Sequence, residues 1–281
     1  MPVRSPWEKP LLAVAFALAL LLGLAAAASF IFLLSRPSLA SALSTLPSNP
    51  WWLVYRDPSP ENGTQAMGVV AGTLGTAVAG GVASIGAYRL HRRSLTPVFP
   101  YLLLFFLSLT TECIRGATAS LYISEHLIST AFVLTRIVYW GRYVGLFALL
   151  LASLSCIDMK YRRASVLGGA ALLVALIIAA SIPLDRSTFL SQFTWKLGDE
   201  EGVWFTNLVI AALIVLTTVG ASVIKKDRRF LVVAGGFLLI LAARELLFFS
   251  VLPLLLGGAI AGLAAGAVVC LRTLSGISRE K

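Results

Sequence analysis

Residues 230–252 read FLVVAGGFLLILAARELLFFSVL, and this stretch decides the class of the protein. Its only charged residues are Arg244 and Glu245. About 20 consecutive apolar residues are enough for a helix to cross the ~30 Å hydrocarbon core of a bilayer. The stretch therefore predicts a membrane-spanning helix that carries an arginine and a glutamate inside the membrane.

The composition of the whole chain agrees with a membrane protein. Of its 281 residues, 58% are hydrophobic and only 13% are charged, whereas soluble domains carry about 25% charged residues. The cysteines Cys113, Cys156 and Cys270 lie within or at the ends of apolar runs without CxxC spacing, which predicts buried thiols. These features exclude a soluble enzyme, a secreted disulfide-bonded domain and a disordered tail.

Seven other runs of similar length accompany residues 230–252. We predict an all-α fold, a polytopic transmembrane helix bundle of eight spans (one plus seven) in a single domain of residues 1–281. The first run also fits a cleaved signal peptide, because it has a basic start and a run of small residues, and seven spans would then remain. The spans cover about residues 11–34, 66–88, 98–119, 128–155, 164–183, 203–224, 230–252 and 254–271, with outer segments at 35–65 and 184–202.

The basic residues of the loops predict how the spans are oriented. They cluster in the N-terminal segment, in the loops after the second, fourth and sixth spans, and after the eighth. The opposite loops hold Arg36, Arg56, Arg186 and Lys196. Since loops rich in Lys and Arg stay in the cytoplasm, both termini are expected there, in a bacterial inner membrane. The net charge of +10 then reflects membrane topology, and nucleic acid is not an expected partner.

The two outer segments carry aromatic residues beside the predicted membrane boundary. Such residues fit an interfacial aromatic belt. The alternative is a lid over an outward-facing site. The residues concerned are Trp51, Trp52, Tyr55, Trp195 and Trp204.

Spans one to four and five to eight share several features, which indicates a possible 4+4 internal repeat. In each half a long outer segment follows the first span, and a basic inner loop ends in Arg-Arg. Such halves would be parallel repeats about an axis along the membrane normal. The alternative is that short apolar helices resemble one another by chance.

Small residues recur at every fourth position in the second and eighth spans. Such ridges follow one helix face and let two backbones approach closely. They fit packing inside the bundle, and also the contact surface of a homodimer or of a membrane partner protein. The glycines of the ridges are Gly68, Gly72 and Gly80 in one span and Gly258, Gly262 and Gly266 in the other.

Five charged residues on three spans are expected to lie in one layer in the outer half of the bilayer. At 1.5 Å per residue, Glu112 and Glu245 lie ~21–23 Å above the inner boundary of a ~30 Å core. Arg136 lies ~18 Å above that boundary by the same arithmetic, and Arg115 and Arg244 bracket that level. Because a lone charge at mid-membrane costs about 2.5–3.5 kcal/mol, these side chains are predicted to converge in the bundle interior.

Helical spacing places further polar residues near this layer. Arg136, Tyr139 and Tyr143 form a stripe along the fourth span. Arg142 is expected about 120° away from Arg136 around the helix, and deeper in the membrane. The secondary candidates are Glu125, His126, Arg142 and Asn207.

Two interpretations of the charge layer stay open. It is either a closed network that joins three helices, or a site for a small polar or anionic ligand that enters from the outer face. Three arginines against two glutamates leave one positive charge, which favours an anion. No metal-ligand or catalytic His–acid motif occurs, so no metal, cofactor or catalytic residue is expected.

The expected function is therefore a non-enzymatic binding module, either a receptor-like sensor or a partner subunit. The alternatives are a small-molecule transporter or permease and an intramembrane enzyme. Beyond the lipid bilayer itself, the possible partners are the anionic ligand and a second copy of the chain or another membrane protein.

Overall fold

The computed structural model describes Ala28 and residues 63–93, 96–123, 128–158, 164–190, 192–249 and 253–279. Most of the predicted first span and of the outer segment 35–65 lie outside these residues, as do both chain ends. The cleavage of the first span, the count of eight spans, the side of the termini and the internal repeat therefore stay predictions.

The described chain is mostly helical, and its helices occupy the seven predicted spans from residue 66 onward. Over the described residues, six helices are long and apolar enough to cross a membrane, the second consisting of α2, a 3₁₀ turn and α3 together. The helices are α1 (Gly63–Arg93), α2 (Val98–Leu109), the 3₁₀ turn (Thr110–Cys113), α3 (Ile114–Ile123), α4 (Ile128–Asp158), α5 (Ala164–Ser181), α6 (Glu200–Lys225), α7 (Arg229–Phe249) and α8 (Pro253–Arg279).

Helix α5 is shorter than the other helices that match a predicted span. Its 18 residues extend ~27 Å, slightly less than the ~30 Å hydrocarbon core. It is apolar only over Val166–Ser181 and is not among the six full-length candidates. In contrast, α8 continues to Arg279, well past the predicted end of the last span at residue 271.

The helices pack as an apolar bundle. Helix α1 lies against α2 and α8, α4 against α2, α5 and α6, and α7 against α6 and α8. Fully buried phenylalanines such as Phe99, Phe105 and Phe237 fill the space between them. Many large apolar side chains are exposed instead, including Leu173 on α5 and Leu216 on α6. An apolar core together with many exposed apolar side chains fits a helical membrane protein.

The glycine ridge of α1 faces other helices of the bundle. Gly68 is buried. A Cβ atom on Gly72 would lie 2.8 Å from a methyl of Leu256 on α8, and one on Gly80 would lie 2.8 Å from the Phe106 carbonyl of α2. These two positions are therefore too close to their neighbours to accept a larger residue without movement.

The ridge of α8 is internal only in part. A Cβ on Gly266 would lie 2.9 Å from the Gly236 carbonyl of α7, whereas one on Gly262 would lie 3.4 Å from Leu239, an ordinary contact. A Cβ on Gly258 would meet no described atom within 4 Å. The close approach of α7 and α8 is thus concentrated at Gly236 and Gly266.

A small antiparallel hairpin interrupts the helical pattern, so the fold is mostly helical rather than purely α. Strands β1 (Leu184–Phe189) and β2 (Trp195–Leu197) pair in the predicted outer segment 184–202. Phe193 near the turn has a φ of 61°, a left-handed conformation that glycine usually adopts in hairpin loops. We call the end of the bundle that carries this hairpin the hairpin end, and the opposite end the basic end.

Polar residues fix the start of α6 at the hairpin end and its connection to α7 at the basic end. Asp199 begins α6 by accepting a hydrogen bond from the Gly202 N–H at 3.0 Å, and Lys226 ends it with a φ of 52°. Asp227 then accepts hydrogen bonds from the backbone N–H and guanidinium of Arg229 at 2.9 and 3.1 Å. These hydrogen bonds hold the pKa of Asp227 below its ordinary value.

Candidate functional site

The 3₁₀ turn places Glu112 in the middle of a membrane span. The hydroxyls of Ser108, Thr110 and Thr111 each donate a hydrogen bond of 2.7 Å to the carbonyl three residues earlier. Such bonds offer the carbonyls a partner other than the normal helical N–H. The tighter turn coincides with them and carries Glu112, which is buried.

Small residues bring α4 close to this turn. Gly141 faces Thr111, and a Cβ on Gly145 would lie 2.5 Å from the Ser108 hydroxyl. This close approach of two helices places Arg142, the residue after Gly141, within reach of Glu112.

Arg142 is the centre of a cluster of five charged side chains, which we call the cluster. Its members are Glu112, Arg115, Arg142, Arg244 and Glu245. The Nη1 of Arg142 donates to Glu112 Oε1 at 3.1 Å, and its Nη2 donates to Glu245 Oε2 at 2.6 Å. The Arg142 side chain is only 4% exposed. One arginine on α4 therefore joins the 3₁₀ turn to α7 through two ion pairs.

Arg115 connects the cluster to the hairpin. Its Nε donates to the Gln192 carbonyl at 2.7 Å, and its Nη2 donates to the Phe248 carbonyl at 3.3 Å. Its Nη1 lies 3.8 Å from Glu112 Oε2, too far for a hydrogen bond. The Phe248 ring lies under two guanidinium carbons, that of Arg142 at 3.8 Å and that of Arg115 at 4.5 Å from its centroid.

Arg244 adds a third buried guanidinium. Its Nη2 donates to the backbone carbonyl of Arg142 at 2.6 Å. Its Nη1 lies 3.8 Å from Glu245 Oε1. Neither Nε nor Nη1 has a hydrogen-bond partner among the described residues, although both atoms are buried.

The cluster carries one more positive charge than negative charge. Its arginines are Arg115, Arg142 and Arg244, and its carboxylates are Glu112 and Glu245. All are buried except Glu245, whose side chain is 29% exposed. The cluster is therefore a nearly enclosed cationic site with one accessible carboxylate.

The placement of Arg136 was predicted wrongly, because the structure puts it outside the cluster. Its Nη1 donates instead to the Ala180 carbonyl on α5. That carbonyl lies in the last turn of α5, where carbonyls lack an intrahelical donor. Arg142, which was expected deeper and on another face, occupies the predicted position of Arg136.

The tyrosines of the predicted stripe lie in the bundle interior. Tyr139 is buried and packs edge-on against Phe248, with 6.0 Å between ring centroids. Tyr143 is also buried, with Phe147 at 6.5 Å. The stripe is thus divided, since Arg136 turns toward α5 whereas Tyr139 borders the cluster.

The other secondary candidates contribute less. Glu125 and His126 lie outside the described residues. Asn207 lies on α6, and its buried Oδ1 has no hydrogen-bond partner among the residues described.

The hairpin holds residues that sequence reasoning did not assign to the site. Gln192 supplies the carbonyl for Arg115, and its side-chain oxygen is buried without a hydrogen-bond partner in the described structure. Phe193, Trp195 and Leu197 alternate with the polar residues Thr194 and Lys196, a two-residue period that is typical of strands and could have signalled this element.

Trp195 does not belong to an aromatic belt. It is buried, with Tyr122 at 5.6 Å and Phe189 at 5.4 Å between ring centroids, and both contacts are edge-on. Tyr122 and Phe189 stack on each other at 4.1 Å. The hairpin is therefore fixed to α3 by aromatic packing. Trp204 on α6 is exposed, as a belt residue would be.

Comparisons with known proteins assign no family. Models of known protein families give no match to the chain, and neither does a search of curated proteins. Over the described residues, no group of at least three His, Cys, Asp or Glu side chains could hold a metal ion. All three cysteines are buried and unpaired.

Proposed function

We propose that this protein is a non-enzymatic binding module, a receptor-like sensor or a partner subunit, whose Arg–Glu cluster binds a small anionic ligand. The observation that carries the proposal is the surplus arginine. Leaving a charge uncompensated in a low-dielectric interior costs several kcal/mol. An anion beside Arg244 would neutralise the surplus and accept hydrogen bonds from its buried Nε and Nη1, which have no described partner.

The hairpin supports a role as a lid over this site. Its tip reaches Arg115 through the Gln192 carbonyl, so the hairpin touches one of the charges of the cluster. Phe193 is fully buried despite its left-handed backbone. A bulky residue pays a conformational cost there, which its burial offsets only while the hairpin stays docked.

The outer face is proposed to be the hairpin end, in the inner membrane of a bacterium. Arg92 and Lys225 lie in the last turns of α1 and α6 at the basic end, as the positive-inside rule expects. A cysteine replacing Ser187 should react with an impermeant maleimide on intact cells, whereas one replacing Lys226 should react only after permeabilisation. The native thiols are buried and give little background. The reverse pattern would invert the orientation.

Ligand binding is tested by thermal unfolding of the purified full chain in a neutral detergent. Phosphate, sulfate, acetate and succinate are added at constant ionic strength. At least one should raise the unfolding midpoint, since a ligand at 100 times its Kd adds about 2.7 kcal/mol to the stability of the folded state. The proposal fails if none of the four anions stabilises the protein.

Arg244→Met serves as the matched variant. It balances the cluster at two arginines and two glutamates and removes the two unpaired donor atoms. Because Glu245 keeps its closer partner Arg142 at 2.6 Å when Arg244 is removed, we expect this variant to fold as stably as the parent but to lose the response to the anion. An undiminished response would place anion binding elsewhere.

A transporter is the second candidate, and the 3₁₀ turn favours it. Irregular backbone beside charged residues within the membrane is a feature of transporter ion sites. Proteoliposome uptake of the stabilising anion distinguishes the candidates. Uptake above that of empty liposomes would indicate a transporter, whereas binding without uptake is expected for a sensor or partner subunit.

A further inference from the structure

We propose that Arg136 and Arg186 form a separate site for the phosphate group of an anionic phospholipid. The guanidinium carbon of Arg136 lies 5.5 Å from the ring centroid of Phe132, and that of Arg186 lies 5.0 Å from the same centroid. Two side chains from distant elements, α4 and β1, therefore meet at one small area of the surface. This site does not depend on the function proposed for the buried cluster.

The site lies at the level where phosphate groups of lipids are found. Arg136 donates to the Ala180 carbonyl, one residue before α5 ends at Ser181. Because α5 is apolar up to this point, its end marks the membrane boundary at the hairpin end. Arginine side chains near such a boundary extend their charged groups toward the headgroups.

The surroundings of the two arginines are suited to a lipid rather than to a free ion. Two exposed large apolar side chains lie on the helices next to the site. Val133 is on α4, which carries Arg136, and Ile177 is on α5, which Arg136 contacts. They can contact acyl chains while the guanidinium groups contact the headgroup. The planar guanidinium also matches phosphate oxygens better than an ammonium group does.

The charge balance at this surface calls for an anion. Among the described residues, no carboxylate oxygen lies within 4.0 Å of a nitrogen of Arg136 or Arg186. Asp185, the neighbour of Arg186 in sequence, instead accepts hydrogen bonds from the backbone N–H and hydroxyl of Ser187 at 2.8 and 2.6 Å. A lipid with a net negative charge, such as phosphatidylglycerol, supplies the missing countercharge.

The test is a titration of the full chain in neutral detergent with dioctanoyl phosphatidylglycerol, followed by the unfolding midpoint. Dioctanoyl phosphatidylcholine and inorganic phosphate are titrated in parallel. We expect phosphatidylglycerol to stabilise the protein at the lowest concentration, and inorganic phosphate to have no effect through this site. Equal potency of phosphatidylcholine, or stabilisation by phosphate that Arg186→Gln abolishes, would overturn a lipid site.

Variants assign the effect to the two arginines. Arg136→Gln and Arg186→Gln should each weaken the apparent affinity for phosphatidylglycerol about fivefold, the typical contribution of one basic residue near a membrane surface. Arg228→Gln is the matched control, because Arg228 is exposed at the basic end. If Arg136→Gln fails to fold without its bond to Ala180, the affinity of Arg186→Gln for phosphatidylglycerol tests the site alone.

An equal loss of affinity for phosphatidylglycerol in Arg228→Gln would show that the lipid is attracted by charge in general, and would refute the site. Arg244→Met should leave the phosphatidylglycerol response unchanged, so failure of the lipid site and failure of the buried anion site are separate outcomes.

Discussion

Arg136 and Arg142 stand six residues apart on α4, yet they lie in opposite environments. Arg142 is buried between two glutamates, whereas Arg136 is half-buried beside α5 and reaches a backbone carbonyl. Their separation is ~9 Å along the helix and about 120° around it. The angle rather than the depth decides which arginine faces the other charged helices.

The two environments differ in what would happen if the positive charge were removed. At Arg142, two carboxylates would lose the partner that they share within the bundle. At Arg136, the Ala180 carbonyl would lose a hydrogen bond near the membrane boundary, where water can replace it. The same substitution is therefore expected to have very unequal effects on the free energy of unfolding at the two positions.

The largest effect is expected for Arg142→Gln. Glu112 is left as a buried carboxylate without its shortest ion pair, so we expect a loss of about 3–5 kcal/mol in the free energy of unfolding. Arg136→Gln should cost less than about 1 kcal/mol, as for an exposed polar contact. Both variants are compared by reversible unfolding in the same neutral detergent.

Equal losses of stability in these two variants would contradict the difference between the environments of Arg136 and Arg142. That result would mean that Arg136 supports the bundle as much as Arg142 does. Arg228→Gln, at an exposed position of the basic end, provides the reference for removing an arginine from the surface.

Much of the fold could be predicted from hydropathy alone. Long apolar runs require helices, because a membrane leaves no water to satisfy an open backbone. Helices accordingly occur at the predicted spans from residue 66 onward, and Glu112, Arg115, Arg244 and Glu245 do lie together. Their depths could be counted because each lies on a helical span between identifiable ends.

Arg136 and the hairpin could not be placed in the same way. Depth along a helix does not fix which neighbour its side chain will face, and that depends on how α4 is rotated against α2 and α5. The hairpin is stabilised by contacts with α3 that are distant in sequence, such as those between Trp195 and Tyr122. Loop composition alone left open whether Trp195 faced lipid or covered a site.

The next effect concerns the charge balance of the cluster. Glu245→Gln raises its surplus from one positive charge to two, and we expect a loss of about 1–3 kcal/mol, reduced from the fully buried case because Glu245 is partly exposed. Adding Arg244→Met restores the surplus to one and should recover part of the loss. Unfolding of the two single variants and the double variant measures this coupling.

Additive effects of Glu245→Gln and Arg244→Met would contradict a shared electrostatic cluster. Asp185→Asn is the control for loss of a carboxylate, since Asp185 lies in the hairpin away from the ion pairs of the cluster. It should change stability less than Glu245→Gln does.

The smallest effects are expected along α8. Uncharged glycines of this helix face either the neighbouring helix α7 or the outside of the bundle. A Cβ on Gly266 would lie 2.9 Å from the Gly236 carbonyl, and backbone cannot yield easily. Gly266→Ala should therefore cost about 1–2 kcal/mol. Gly262→Ala meets Leu239 at 3.4 Å and should be nearly neutral.

Gly258→Ala completes this series. It tests whether the side of α8 that points away from the bundle contacts only lipid. Its Cβ would meet no described atom within 4 Å, so the variant should gain up to about 1 kcal/mol from helix propensity. A loss instead, together with a change in oligomeric state in detergent, would mean that this face packs against a second copy of the chain. The series would then separate packing between helices of one chain at Gly266 from packing between chains at Gly258.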